Sequence, residues 1–153
     1  LEPKSIVIVS SAPQIRYPDC YGIDMSRMYE FVAFRALLGL LKDTQQMYLL
    51  DETYHKCVDS LQLEPHKIPN HVQQLYDLFS HEQISTKVAE IVKPSYVKAE
   101  VKVVFQTIDN LHKACPHHKG DWYFSGNYPT IGGNSVVNKA FINFMEGRKE
   151  RSY

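Results

Sequence analysis

The spacing of apolar and polar positions changes several times along this chain, and each change marks an element. Ile6-Val7-Ile8-Val9 is apolar on both faces, which predicts a buried parallel strand over 4–9. Over 26–42, Met28, Phe31, Val32, Phe34, Leu37, Leu38 and Leu41 recur at intervals of three and four, the stripe of an amphipathic helix that Asp24 or Ser26 would cap. Met47-Tyr48-Leu49-Leu50 reads as a second short strand, with Asp51 as N-cap of a helix carrying Tyr54, Cys57, Val58 and Leu61. That order is one βαβα unit.

Beyond Pro65 and Pro69 the pattern predicts helices alone. Val72, Leu75, Tyr76 and Phe79 mark a short one. Ser80 and Gln83 form a capping box ahead of Ile84, Val88, Ile91 and Val92, and Pro94 ends that helix. From Tyr96 a longer helix is expected on Val97, Val101, Val104, Ile108 and Leu111. The segment 99–105 also alternates as a strand would, but the seam continues at helical spacing to Ala114. Residues 117–128 read as loop or a short extended piece. A last amphipathic helix is expected over 134–146, on Val136, Val137, Ala140, Phe141, Phe144 and Met145, closed by Gly147. Gly132-Gly133-Asn134 reads as a turn and helix start rather than a phosphate cradle.

At 153 residues the chain has the length of one modest domain. Its 17 basic and 17 acidic residues cancel, so charge draws it neither to nucleic acid nor to an anionic membrane surface. No apolar run reaches transmembrane length and no signal-like segment stands out, so a soluble, cytoplasmic protein is expected. The three cysteines, Cys20, Cys57 and Cys115, are odd in number and far apart, which fits reduced thiols rather than a disulfide framework.

The richest stretch follows the first strand: Ser10-Ser11-Ala12-Pro13-Gln14-Ile15-Arg16-Tyr17-Pro18-Asp19-Cys20-Tyr21-Gly22-Ile23-Asp24-Met25. Pro13 and Pro18 fix φ and push Ala12 and Tyr17 toward extended geometry, while Gly22 permits a turn. Loops at the carboxyl ends of α/β strands are where such folds place their sites. The pattern Ser-x-x-Pro-x-Ile-x-x-Pro-x-x-Tyr-Gly-Ile-Asp resembles the carboxyl-terminal part of the glutamine phosphoribosylpyrophosphate amidotransferases (amidophosphoribosyltransferases). Ser125-Gly126-Asn127-Tyr128-Pro129-Thr130 resembles a later Thr-Gly-Lys-Tyr-Pro-Thr segment of that family, in matching order and rough spacing. Residues 62–116 carry no such match.

The resemblance implies an α/β fold: the carboxyl-terminal part of a type I phosphoribosyltransferase-like fold with few parallel strands over 1–61, followed by a mostly helical region over 62–153. It implies an enzyme that transfers glutamine-derived ammonia to phosphoribosyl pyrophosphate, forming phosphoribosylamine at the start of purine synthesis. Mg would accompany the phosphoribosyl pyrophosphate, and the full-length protein would be a homo-oligomer. The amino-terminal cysteine nucleophile of the family is absent, because position one is Leu1, and so is its Gly-rich phosphoribosyl loop. These residues alone are therefore expected to be inactive, with no catalytic residue of their own, and to depend on upstream domains of the same chain. In relatives, apolar residues wall a passage for ammonia. Carried across by position, two of them are Met25 and Phe31. Some relatives hold an iron–sulfur cluster on cysteines; the matching positions here, Asp19, Gly120 and Tyr123, are not cysteine, so no cluster is expected.

Other constellations read as ordinary structure. Cys115, His117 and His118, with Asp121 or His112 as a fourth donor, have no paired-cysteine spacing, and no metal is expected there. Ser10, Ser11, His55 and Asp51 make a triad only on paper, because seven histidines make such pairings cheap. Trp122, Tyr123, Phe124 and Tyr128 form an aromatic cluster with no basic stripe beside it, which favours a core or interface role. The alternative to the enzyme reading is a non-catalytic α/β interaction module.

Overall fold

In the computed structural model the described residues are 2–20, 25–117 and 120–152. The turn expected at Gly22, the cap expected at Asp24, and His118 of the Cys115, His117 and His118 group lie outside them, as does Leu1. The fold is mixed α/β. Strand β1 (Ser5–Ser10) and strand β2 (Glu100–Phe105) form a two-stranded parallel sheet, in register from Ser5 opposite Glu100 to Ser10 opposite Phe105. Between them lie α1 (Val32–Asp43), α2 (Tyr48–Ser60), α3 (Gln73–Tyr76) and α4 (His81–Val92). After β2 come α5 (Ile108–Ala114), α6 (Trp122–Ser125) and α7 (Gly133–Met145).

Three expectations are corrected. The run Met47–Leu50 is no strand. Gln45, in the left-handed region at φ 58°, closes α1, and Leu49 and Leu50 then donate back to Gln46 and Met47, starting α2 without an Asp51 cap. Leu50 is the first member of a helical stripe that continues through Thr53, Cys57 and Ser60, so its burial follows a period of three to four. The helix expected from Tyr96 is instead β2 followed by α5. The alternation at Val101, Val103 and Phe105 prevails because β1 supplies hydrogen-bonding partners along its length, a non-local gain that local spacing does not register. Thr107 then restarts a helix, its Oγ1 accepting from the Asn110 N–H at 3.1 Å. The sheet's second strand thus comes from beyond residue 61.

The third correction concerns the helix expected from Ser26. A 3-10 turn, Met28–Glu30, comes first, and extended Phe31 (φ −74°, ψ 123°) separates it from α1. The break lets Met28 and Phe31 both face inward, at 2% and 8% exposure. The capping box at Ser80 and Gln83 is present in both directions, at 2.7 and 3.1 Å.

The core is helical. Phe34, Leu37 and Leu41 of α1 meet Ile84 and Val88 of α4 and Val137 and Phe141 of α7 in one cluster, each side chain contributing about 1.5–3 kcal/mol by leaving water. Lys87 ties α4 to α1 through Asp43 at 2.7 Å and also pairs with Glu90. Asn138, fully buried, donates to the Pro69 carbonyl at 2.9 Å and to Ser60 Oγ at 3.2 Å, which holds α7 against α2 without an orphaned amide. α4 packs on β2, but β1 is open: Val7, Ile8 and Val9 are 55%, 46% and 72% exposed, where burial on both faces was expected. One neighbouring strand and the helices over β2 do not reach far enough to cover it. Among the described residues no helix is long and apolar enough to cross a membrane.

Candidate functional site

At the carboxyl ends of β1 and β2 the chain forms an open recess of about 340 Å³. Ser10 turns the chain there: its Oγ donates to the Ala12 carbonyl at 2.9 Å and accepts from the Ala12 N–H at 3.2 Å. Ala12, Pro13 and Ile15 form one wall, Met25 and Phe31 the second, and Val32 and Ala33 of α1 with Phe105 of β2 the rest. Ser10 and Gln14 are the polar members, and among the described residues no charged side chain lines it. Such a chamber offers no counter-ion and little hydrogen bonding, so it disfavours ions and tolerates small neutral molecules. The two residues singled out by position, Met25 and Phe31, are thus brought to one cavity. Met25 is half-buried, and its carbonyl accepts from the Asp19 N–H at 3.0 Å.

The loop that forms the first wall is held from behind. Gln14, 1% exposed, donates through Nε2 to the His81 carbonyl at 2.9 Å and to Ser85 Oγ at 2.8 Å. Its Oε1 accepts from Arg16 Nη2 at 2.7 Å and Nε at 3.1 Å. The Arg16 guanidinium lies 5.2 Å from the centre of the Tyr76 ring, whose hydroxyl donates to the Arg16 carbonyl at 3.2 Å. Desolvation holds the buried Tyr76 phenol well above its ordinary range, so it stays a donor. Behind this loop a second pocket of about 400 Å³ shares Pro13 and Gln14 with the recess; its wall is largely apolar, with Phe79, Ile108 and Phe124, but it also holds the charged Arg16, Asp77 and Asp109.

The first resembling segment is bonded to the second and to the residues just before it. The Arg16 and Tyr17 N–H groups donate to the Tyr123 carbonyl at 2.9 and 3.1 Å, and Trp122 Nε1 donates to Asp19 at 2.7 Å. Tyr128 gives its hydroxyl to the Pro18 carbonyl. Of the aromatic cluster, Trp122, Tyr123 and Tyr128 are therefore half-buried fasteners of this loop, while Phe124 lines the second pocket.

The remaining candidates stay apart. Ser10 is engaged with Ala12, while Asp51 and His55 lie on α2, and no hydrogen bond among the described residues links the three. His112 pairs with Asp121 at 3.1 Å beside exposed Cys115, and no group of three metal-competent side chains gathers among the described residues. Asp19, where the resemblance implies an iron ligand, accepts from Trp122 Nε1 and from the Cys20 N–H, the latter at 2.6 Å.

Sequence reasoning missed Gln14 and Phe105 as members of the site. Gln14 sits in an aperiodic loop that gives no local signal, whereas the alternation ending at Phe105 was legible. Comparison with protein-family models, with curated proteins and with solved structures finds no match to this chain.

Proposed function

We propose that these residues are the carboxyl-terminal portion of an amidophosphoribosyltransferase, contributing the last parallel strands of a type I phosphoribosyltransferase-like half and part of the wall of its ammonia passage. In that reaction glutamine is hydrolysed to glutamate and ammonia. The ammonia nitrogen then bonds to the anomeric carbon of phosphoribosyl pyrophosphate as the bond to pyrophosphate breaks. The observation that carries the reading is the recess: Met25 and Phe31, chosen by their place in the resembling segment, line one cavity at the carboxyl ends of the strands that carries no charged side chain among the described residues. The exposed Val7, Ile8 and Val9 agree with it, because parallel sheets are ordinarily covered on both faces, here by the rest of the enzyme. Mg belongs to the phosphoribosyl pyrophosphate and not to these residues.

The test is to express the full-length polypeptide that carries these residues beside residues 1–153 alone, and to assay glutamate release and phosphoribosylamine formation with Mg. The full-length protein is expected to couple the two reactions and the 153 residues to perform neither. Phe31→Asp should raise glutamate released per phosphoribosylamine formed, because a carboxylate in the wall attracts ammonium and water. Absence of amidotransferase activity from the full-length protein, or turnover by the 153 residues alone, would sink the reading. The bare face of β1 favours the interaction module as second reading, and the first of those outcomes would promote it.

A further inference from the structure

Gln14 is a polar residue in an apolar wall, and the way its amide is used gives it a function. Its Oε1 must face Arg16, which has only donors, and its Nε2 must face the His81 carbonyl, which has only lone pairs. Nε2 donates to the His81 carbonyl and to Ser85 Oγ, and Oε1 accepts from two guanidinium nitrogens, so donors and lone pairs alike are consumed on the side away from the recess. None of the three partners, Arg16, His81 and Ser85, lines the recess that Gln14 itself helps to wall. With Pro13, the same residue lines both that cavity and the second pocket, which holds Arg16, Asp77 and Asp109.

We infer that Gln14 is a specificity-determining residue of the passage: its saturated amide seals the charged pocket from the recess and keeps the wall blind to hydrogen bonding, so that neutral ammonia crosses without being held or protonated. This inference rests on the amidotransferase reading. Gln14→Glu keeps the size and the contact with Arg16 but loses both donors. It sets an oxygen against the His81 carbonyl and leaves lone pairs and charge to draw water into the wall. Gln14→Met is close in shape and carries no charge. Arg16→Met leaves Gln14 in place but strips Oε1 of its donors.

The experiment measures, in the full-length protein, glutamate released per phosphoribosylamine formed, together with the urea midpoint of each variant. Gln14→Glu and Arg16→Met are expected to raise the ratio several-fold. Gln14→Met should remain several-fold below Gln14→Glu even where its urea midpoint is as low or lower, since polarity and not stability sets the leak. A ratio that tracks the midpoint through all three variants, or that stays at the unmodified value in Gln14→Glu and Arg16→Met, overturns the inference while leaving the amidotransferase reading intact. If the unmodified full-length protein transfers no ammonia, the reading falls and the inference with it.

Discussion

The indole N–H of Trp122 donates to the buried carboxylate of Asp19 at 2.7 Å, joining loops 103 residues apart in the chain. The same carboxylate accepts from the Cys20 N–H at 2.6 Å, so one side chain fixes both the end of its own loop and α6. Replacing it by Ala orphans two donors. Hydrogen bonds to charged groups contribute about 1.5–3 kcal/mol, and Asp19→Ala is expected to lower the unfolding free energy by about that amount. Urea denaturation checks it, and Trp122→Phe, which keeps the ring but removes the donor, should lose less because the Cys20 contact survives.

Gly126 holds φ at +78°, where a side chain is strained, and a Cβ there would stand 2.8 Å from Asn70 Nδ2 and 2.9 Å from Tyr17 Cζ. Tyr17 cannot yield easily, because it is buried edge-on to Tyr76 with ring centres 5.3 Å apart. Gly126→Ala therefore combines left-handed strain with overpacking, and a loss of about 2–4 kcal/mol is expected. A melting curve unchanged from the parent would contradict this account.

Two histidines set a pH dependence. Desolvation, reinforced by Arg16, lowers His81 below its ordinary value of 6.5, and desolvation with Lys56 does the same to His71. A lowered folded-state value means that the unfolded chain binds protons first, so the stability these groups confer is whole above pH 6.5 and is lost as pH falls through their folded-state values. Urea midpoints measured from about pH 7.5 down to about pH 5, a range that brackets the ordinary histidine value, should fall on acidification. His81→Gln should flatten part of that slope, and a slope identical to the parent's would remove His81 from the explanation.

Cysteine reactivity follows burial. Cys57 is fully enclosed, and burial pushes its thiol up to about 12, whereas Cys20 and Cys115 are exposed. Asp19 beside Cys20 raises that thiol by hydrogen bonding. A chromogenic disulfide titration of the folded chain should therefore show two accessible thiols and a third that appears only on unfolding. Rapid modification of Cys57 in the native state would show that α2 opens locally.

Local chemistry made several elements legible. The Ser80 and Gln83 pair starts α4, Pro94 stops it, and the 3.6-residue stripe of Phe34, Leu37 and Leu41 is buried where its spacing predicts. Each depends on neighbours within one or two turns. Met25 and Phe31 were legible as a pair only through the resemblance; nothing in their spacing indicates a shared cavity.

What the sequence determined by itself was therefore the helical scaffold, the neutral charge balance and the stiff proline-bearing loop after β1, because capping, periodicity and fixed φ act within a few residues. Tertiary structure alone decided that 100–105 is a strand, that Leu50 begins a helical face, and that Gln14 turns its amide to α4 and Arg16 at the edge of the recess. Those outcomes depend on partners up to about a hundred residues away, and hydrogen-bond saturation and strand pairing are settled only when both partners are in place.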